Sequence, residues 1–138
     1  MRVMVLIDGS EISKRVVQLV IKQASLLKVQ PDIHLLNVQH PLPGTVTGVG
    51  EQARQFHNEE GNAALAGARQ LLDEAKLKYT THISVGEVSS VVAQATKEFN
   101  CEQIVMGTRG MGTVANMLMG SVATKVLHVV DVPVLFVK

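Results

Sequence analysis

The chain has 138 residues, a formal net charge of +1, 46% hydrophobic residues and only 3% aromatic residues. That length suits a single domain over residues 1–138, large enough to bury about two-thirds of its unfolded surface without disulfide staples. Cys101 is the single cysteine, so an intramolecular disulfide is excluded and a cytoplasmic setting is expected, while scattered basic residues and the lack of Trp argue against nucleic-acid binding.

Residues 2–7 form a continuous apolar run that ends at Asp8-Gly9-Ser10. Such a run predicts a strand buried on both faces, as in a parallel sheet. It is too short for a signal peptide, and no stretch reaches the roughly 20 apolar residues of a membrane span. Ser10 is a candidate helix cap. Val16, Val20, Ala24 and Leu27 then recur at helical spacing, with Val17 and Ile21 beside them. A second strand is predicted over 32–38, followed by a breaker-rich loop over 40–50. Strong helix formers fill 51–77, with Leu65, Ala68, Leu72 and Ala75 as the apolar seam and Gly61 and Gly67 as weak points. Residues 79–85 read as a third strand, more polar and so nearer a sheet edge. Gly86 ends it, and 87–99 follows as a helix with Val88, Val91, Val92 and Ala95 facing inward. Residues 103–106 predict a fourth strand, 107–119 a glycine-punctuated loop, 121–130 a fourth helix and 132–137 a fifth strand.

The alternation βαβαβαβαβ predicts an α/β fold, a doubly wound five-stranded parallel sheet with helices on both faces. Right-handed crossovers favour strand order 3-2-1-4-5 in a Rossmann-like arrangement. The switch point then falls between strands 1 and 4, whose carboxyl ends carry Asp8 and Gly107, and ligands of such sheets bind there.

The segment from Gly107 to Ser121 carries the chemistry. Gly107 and Gly110 are separated by two residues, and nine more precede Gly120-Ser121 at a helix start. Glycine allows close backbone approach, and N–H groups at a helix start favour anions. By chemistry alone both a phosphate-binding loop and a purely structural loop stay open. The Walker pattern is excluded, because no Gly-Lys-[Ser/Thr] triplet occurs. Gly110-Met-Gly-Thr-Val-Ala115 formally fits a dinucleotide fingerprint. Asp131, however, precedes the fifth strand instead of ending it, and no second mononucleotide half follows.

Gly107-x2-Gly110-x9-Gly120-Ser121 resembles the ATP-binding signature of the universal stress protein family. Val5-Leu-Ile-Asp-Gly-Ser10, Leu35-Leu-Asn-Val38, Gly86-Glu87, Ile104-Val-Met-Gly-Thr-Arg-Gly110 and Pro133-Val-Leu-Phe-Val137 extend the resemblance over nearly the whole chain. It implies the fold of the adenine nucleotide alpha hydrolase-like group and a nucleotide site made of Ile7, Asp8, Val38, Met106, Gly107, Arg109, Gly110, Gly120, Ser121 and Val122. In that reading Asp8 lies near the ribose and phosphates and helps hold Mg²⁺. The Val38 backbone meets the adenine edge. Met106, Gly107, Arg109 and Gly110 line the ribose and phosphate path, and Gly120, Ser121 and Val122 cradle the phosphates. The ligand is ATP, or AMP or ADP. One departure stands out: 111–119 contains no Lys or Arg, which lowers the expected phosphate affinity.

Structural readings compete at several positions. Asp8 can simply brace its turn, and Arg109 can be a solvated loop residue. The five histidines lack zinc spacing. His34 sits inside a strand pattern, His57, His82 and His128 read as surface positions, and His40 follows the second strand near the expected site. Cys101 reads as a packed thiol. Met111, Met117 and Met119 suit either packing or a mobile lid. The leading expectation is an ATP-binding regulatory or stress-response protein. The alternatives are a slow Mg-dependent ATPase or nucleotide hydrolase with no evident base, and a nucleotide-free dimeric interaction module. A homodimer is expected through 132–137, whose two faces are both apolar and whose edge no other strand covers.

Overall fold

Five short runs, four of them largely apolar, become five parallel strands, and four helices form between them. In chain order these are β1 (Arg2–Leu6), α1 (Glu11–Ser25), β2 (Asp32–Gln39), α2 (Glu51–Glu74), β3 (Tyr79–Val85), α3 (Val88–Glu98), β4 (Gln103–Gly107), α4 (Ser121–Val129) and β5 (Val134–Val137). The computed structural model describes residues 1–42, 50–110 and 118–138. Met111 and Met117 therefore lie outside the described residues, as does most of the breaker-rich loop. The strand order is β3-β2-β1-β4-β5, the order that right-handed crossovers favour.

Side chains of a strand alternate between its two faces, so each strand feeds two cores. Val3, Val5, Ile33, Leu35 and Val105 point to one face, where Val16, Val17 and Val20 of α1 and Leu65 and Leu72 of α2 cover them. Met4, Leu36, Ile104 and Met106 point to the other, against Val92 of α3 and Ala123 and Val126 of α4. Burying each large aliphatic side chain contributes about 1.5–3 kcal/mol. β1 and β4 are central and nearly all apolar. β3 sits at an edge, half-buried along its length, in keeping with its more polar composition.

Helix boundaries follow local chemistry. Ser10 caps α1 by accepting a hydrogen bond from the Ser13 N–H, and Glu11 and Lys22 complement the helix dipole at its two ends. Leu27, expected on the buried seam, lies beyond the end of α1 and is 43% exposed. α2 stops at Glu74, three residues before the predicted end. Lys76 turns left-handed with φ 56°, and its N–H and that of Leu77 close back onto Asp73 and Leu72. α3 ends in the same motif with Asn100 at φ 52°. β5 begins at Val134, after Pro133, which has no N–H to give to a ladder; the Pro133 carbonyl still accepts from the Ile104 N–H.

Gly61 does not weaken α2 where it sits, because the helix approaches β3 there. A Cβ at Gly61 would lie 2.7 Å from Ile83 side-chain atoms. Two histidines read as surface positions are not on the surface. His57 lies on the α2 seam at i+4 spacing with Ala53 and Gly61 and is 4% exposed. His82 is half-buried between His34 and Phe99. Its Nε2 lies 2.9 Å from His34 Nδ1, and its ring stacks on Phe99 with centroids 4.1 Å apart. Only one proton fits between the two imidazoles, so at least one of them stays neutral. Burial, and then the charge of His34, lower the His82 pKa. Cys101 is buried beside this cluster, and burial raises its thiol pKa, as a packed and unreactive cysteine requires.

Candidate functional site

The carboxyl ends of β1, β2 and β4 do not finish level. β1 pairs with β2 only as far as Leu6 opposite Leu36, so Asn37, Val38 and Gln39 overhang it. The Leu36 carbonyl accepts from Ile7 on the β1 side, and the Gln39 carbonyl accepts from Gly86 on the β3 side. Strand alternation thus points the N–H and C=O of Val38 to the β1 side, past the end of that strand. A cleft of about 630 Å³ opens at this switch point. All ten residues of the expected nucleotide site line it: Ile7, Asp8, Val38, Met106, Gly107, Arg109, Gly110, Gly120, Ser121 and Val122. His40 lines it too.

Asp8 is built into the turn that starts α1. Its Oδ1 accepts from the Ser10 N–H at 2.9 Å and from the Ser13 hydroxyl at 2.7 Å, while Ser13 Oγ accepts from the Asp8 N–H at 3.0 Å. The bracing reading of Asp8 is therefore true of one oxygen. The other, Oδ2, lies against Gly110, where any Cβ would overlap it. Gly107 has a comparable reason to be glycine. A Cβ there would collide with a methyl of Ile12 and would lie 2.9 Å from the Arg109 carbonyl. Both glycines thus bring α1, β1 and the β4 loop into close contact, and the cleft walls depend on that contact.

The loop between β4 and α4 is tied at its base. The Thr108 N–H donates to the Val137 carbonyl at 2.8 Å, and the Gly120 N–H donates to the Thr108 carbonyl at 2.6 Å. Gly120 therefore closes the loop with its own N–H, and an anion at this helix start falls to the residues after it. The first intrahelical bond runs from the Thr124 N–H to the Gly120 carbonyl, and Gly120, at the capping position, has no side chain to cap the start. Ser121, Val122 and Ala123 all line the cleft there. Thr108, 6% exposed, lines it as well and carries a hydroxyl without a hydrogen-bond partner among the described residues.

Of the other helix starts, those of α1 and α3 are closed by side chains, while α2 has Gly50 at its capping position and no side-chain cap. α1 is capped by Ser10. At α3, Glu87 accepts from the N–H groups of Ser89 and Ser90, and from both serine hydroxyls. Those bonds lower the Glu87 pKa to about 2. α2 meets the cleft at Glu60, Ala63 and Ala64, well past its own start.

Several of these residues escape motif reading. Asn37 is buried in β2 and donates through Nδ2 to the Ile7 carbonyl at 2.8 Å, tying the end of β2 to that of β1. Gln39 in turn donates to Asn37 Oδ1 at 2.7 Å. The signal was a polar residue inside the apolar run Leu35-Leu-Asn-Val38. Ser13 and Glu60 left no such signal, because only the fold brings them to Asp8 and to the cleft. Among the described residues no group of three or more His, Cys, Asp or Glu side chains is placed to hold a metal ion. No described helix is long and apolar enough to cross a membrane.

The curated universal stress protein YxiE of Bacillus subtilis is 27% identical over 147 residues, covering 99% of this chain and 98% of its own. Hypothetical protein MJ0577 superposes with a TM-score of 0.84 at 21% identity, covering 99% of this chain and 94% of that one. The universal stress protein of Archaeoglobus fulgidus, solved in complex with dAMP, superposes with a TM-score of 0.71 at 22% identity, covering 100% and 98%. At these identities the structural likeness carries the fold alone. The family model for universal stress proteins matches residues 1–138, and the chain belongs to that family.

Proposed function

We propose that this chain binds an adenine nucleotide in the switch-point cleft and serves as a nucleotide-responsive stress protein. The observation that carries the reading is the uncapped start of α4, which opens into a cleft lined by the whole glycine motif. A helix start of this kind presents unpaired N–H groups and the positive end of a dipole, a fit for phosphate. The overhanging Val38 backbone offers one donor and one acceptor for the edge of a base. A fold neighbour in complex with dAMP supports the same ligand class. ATP enters this reading as its Mg²⁺ complex. Magnesium is typically held by one or two carboxylates plus the nucleotide phosphates, and Asp8 and Glu60 on the cleft wall fit that role.

Mass spectrometry of nucleotide released from the purified protein, with calorimetric titration of AMP and ATP·Mg²⁺, tests the assignment. Gly110→Val presses a side chain onto Asp8 and should abolish binding, whereas equal affinity in variant and wild type contradicts the site. Hydrolysis is slow in this reading, since Asp8 Oδ1 is already held by Ser10 and Ser13. A turnover of about 1–10³ s⁻¹ that is lost in Asp8→Asn would replace it with the enzyme reading.

The same reading includes a homodimer through β5. Val134, Leu135, Phe136 and Val137 feed both cores yet remain half-buried, and no described strand pairs with the outer edge of β5. Two-fold pairing would cover that edge without open-ended growth. Light scattering should give twice the monomer mass at micromolar concentration, and a monomer there rules the dimer out.

A further inference from the structure

We infer that the His34–His82 pair is an acid-sensitive latch, which holds the end of α3 on β2 and β3 near neutral pH and releases it once both rings carry a proton. The latch lies at the opposite end of α3 from Val88, which lines the cleft, so it stands apart from the nucleotide reading. His34 and Leu36 share one face of β2, and His82 is the partner of Leu36 on β3, so both imidazoles stand on the face that α3 covers. The two rings are nearly coplanar, 6° apart, and meet edge to edge at His34 Nδ1 and His82 Nε2, 2.9 Å apart. Phe99, the residue that ends α3, stacks on both, with centroids 5.3 Å from His34 and 4.1 Å from His82. The next two amides close the turn, Asn100 onto the Lys97 carbonyl and Cys101 onto the Thr96 carbonyl. The helix end is thus held to the sheet through a ring that rests on the histidine pair.

Proton counting shows why this contact responds to acid. With no added proton, one N–H lies between the rings and the other nitrogen accepts. One added proton is tolerated. With His34 doubly protonated, its Nδ1–H still donates to His82, and its Nε2–H faces Asp32 Oδ2 at 3.3 Å, within ion-pair distance but off the hydrogen-bond direction. A second proton, on His82, sets N–H against N–H with no acceptor between them and places two positive charges on touching rings. The pair therefore titrates as a unit, and the second proton is taken up by separating the rings. Charged groups reach the pair from several elements. Arg2 of β1 shares Asp32 Oδ2 at 3.4 Å, and Glu102, ahead of β4, accepts from the Arg2 N–H. Burial and then the charge of His34 oppose a proton on His82, and Glu98 of α3 acts more weakly in its favour. The neighbouring Cys101 thiol is held neutral by burial.

The test is hydrogen exchange of the full chain, resolved by residue in NMR at pH 7 and pH 5.5, with each rate divided by the intrinsic rate at that pH. Freeing one histidine of ordinary pKa 6.5 allows an open form to gain at most roughly eightfold between these pH values. Protection of the Asn100 and Cys101 amides should fall by at least about threefold, and at both pH values it should stay below that of Leu35 and Val105 at the sheet centre. In His82→Gln the amide still donates to His34 Nδ1 but takes up no proton, and protection at Asn100 and Cys101 should change by less than about twofold; His82→Phe, which keeps a ring under Phe99, should do the same. Unchanged protection in the wild type overturns the inference, and so does a fall that persists in both variants. Equal protection at the helix end and the sheet centre also overturns it, because the end would then open only when the whole chain unfolds.

Discussion

The starts of α3 and α4 pose the same physical problem and solve it in opposite ways. Both helices pack on the same face of the sheet; α3 follows β3 directly, and α4 follows β4 after the glycine loop, which the Gly120–Thr108 hydrogen bond closes. Every helix start leaves backbone N–H groups without intrahelical partners. At α3 the Glu87 carboxylate takes two of them and the hydroxyls of Ser89 and Ser90 as well. At α4 the capping position is Gly120, which has no side chain, and the cleft lies in front of it. One start is satisfied by a side chain, and the other has a glycine at its cap and opens into the cleft. A glycine at a cap gains meaning only beside a neighbour that shows what a filled cap looks like.

Placing a negative charge on the open start should have the largest effect. Ser121→Asp puts a carboxylate where phosphate is expected, and AMP affinity should drop by at least about tenfold in calorimetry. The same acid suits the helix dipole and should hold or raise stability, by about 0.3–1 kcal/mol. Opposite signs in binding and stability distinguish a ligand site from a structural loop, because a structural loop has no affinity to lose.

Next in size is the wall that holds the open start in place. Gly107→Ala drives a methyl into Ile12 and should cost about 1–3 kcal/mol in urea unfolding, as overpacking does. A neutral result there would show that α1 and the β4 loop are not in the close contact described above.

The closed start should respond in stability alone. Glu87→Ala should lower the thermal midpoint and leave AMP affinity unchanged. Because the folded-state pKa of Glu87 is depressed to about 2 from 4.5, its contribution is complete above pH 4.5 and disappears as pH falls toward 2. The variant and the wild type should therefore converge in stability over that window, and a constant gap down to pH 2 would show that the carboxylate charge is not what closes the helix.

The smallest effect belongs to the far end of α3, where Phe99 stacks on His82. The His82 pKa is lowered by burial, so the unfolded chain binds the proton more readily. Stability should be complete above pH 6.5 and decline as pH falls below it. His82→Phe should flatten that decline in urea midpoints measured at pH 7 and pH 5.5.

Most of the fold was legible because four of the five strands are short, largely apolar runs and each crossover contains a helical pattern. The alternation left one favoured strand order, and the order located the switch point before any motif was read. Misreadings arose where tertiary contact overrides local sequence. His57 is polar by composition but lies on the α2 seam, and Gly61 is a weak helix former that the approach to Ile83 demands. The family resemblance implied ten site residues, and all ten line the cleft. It could not show that Gly107 and Gly110 are fixed by Ile12 and Asp8, since those contacts join residues about 100 positions apart. Nor could it show that the Gly120 N–H is used within the chain, which depends on the closure of the loop onto Thr108.

The central claim is that the open start of α4 holds the phosphate of an adenine nucleotide, and the most direct test compares AMP with adenosine. Calorimetric titration of the wild-type protein should show AMP binding at least about tenfold more tightly than adenosine, a difference of ~1.4 kcal/mol. In Ser121→Asp that difference should disappear, with adenosine affinity unchanged. Equal affinity of the wild-type chain for AMP and adenosine would contradict the account.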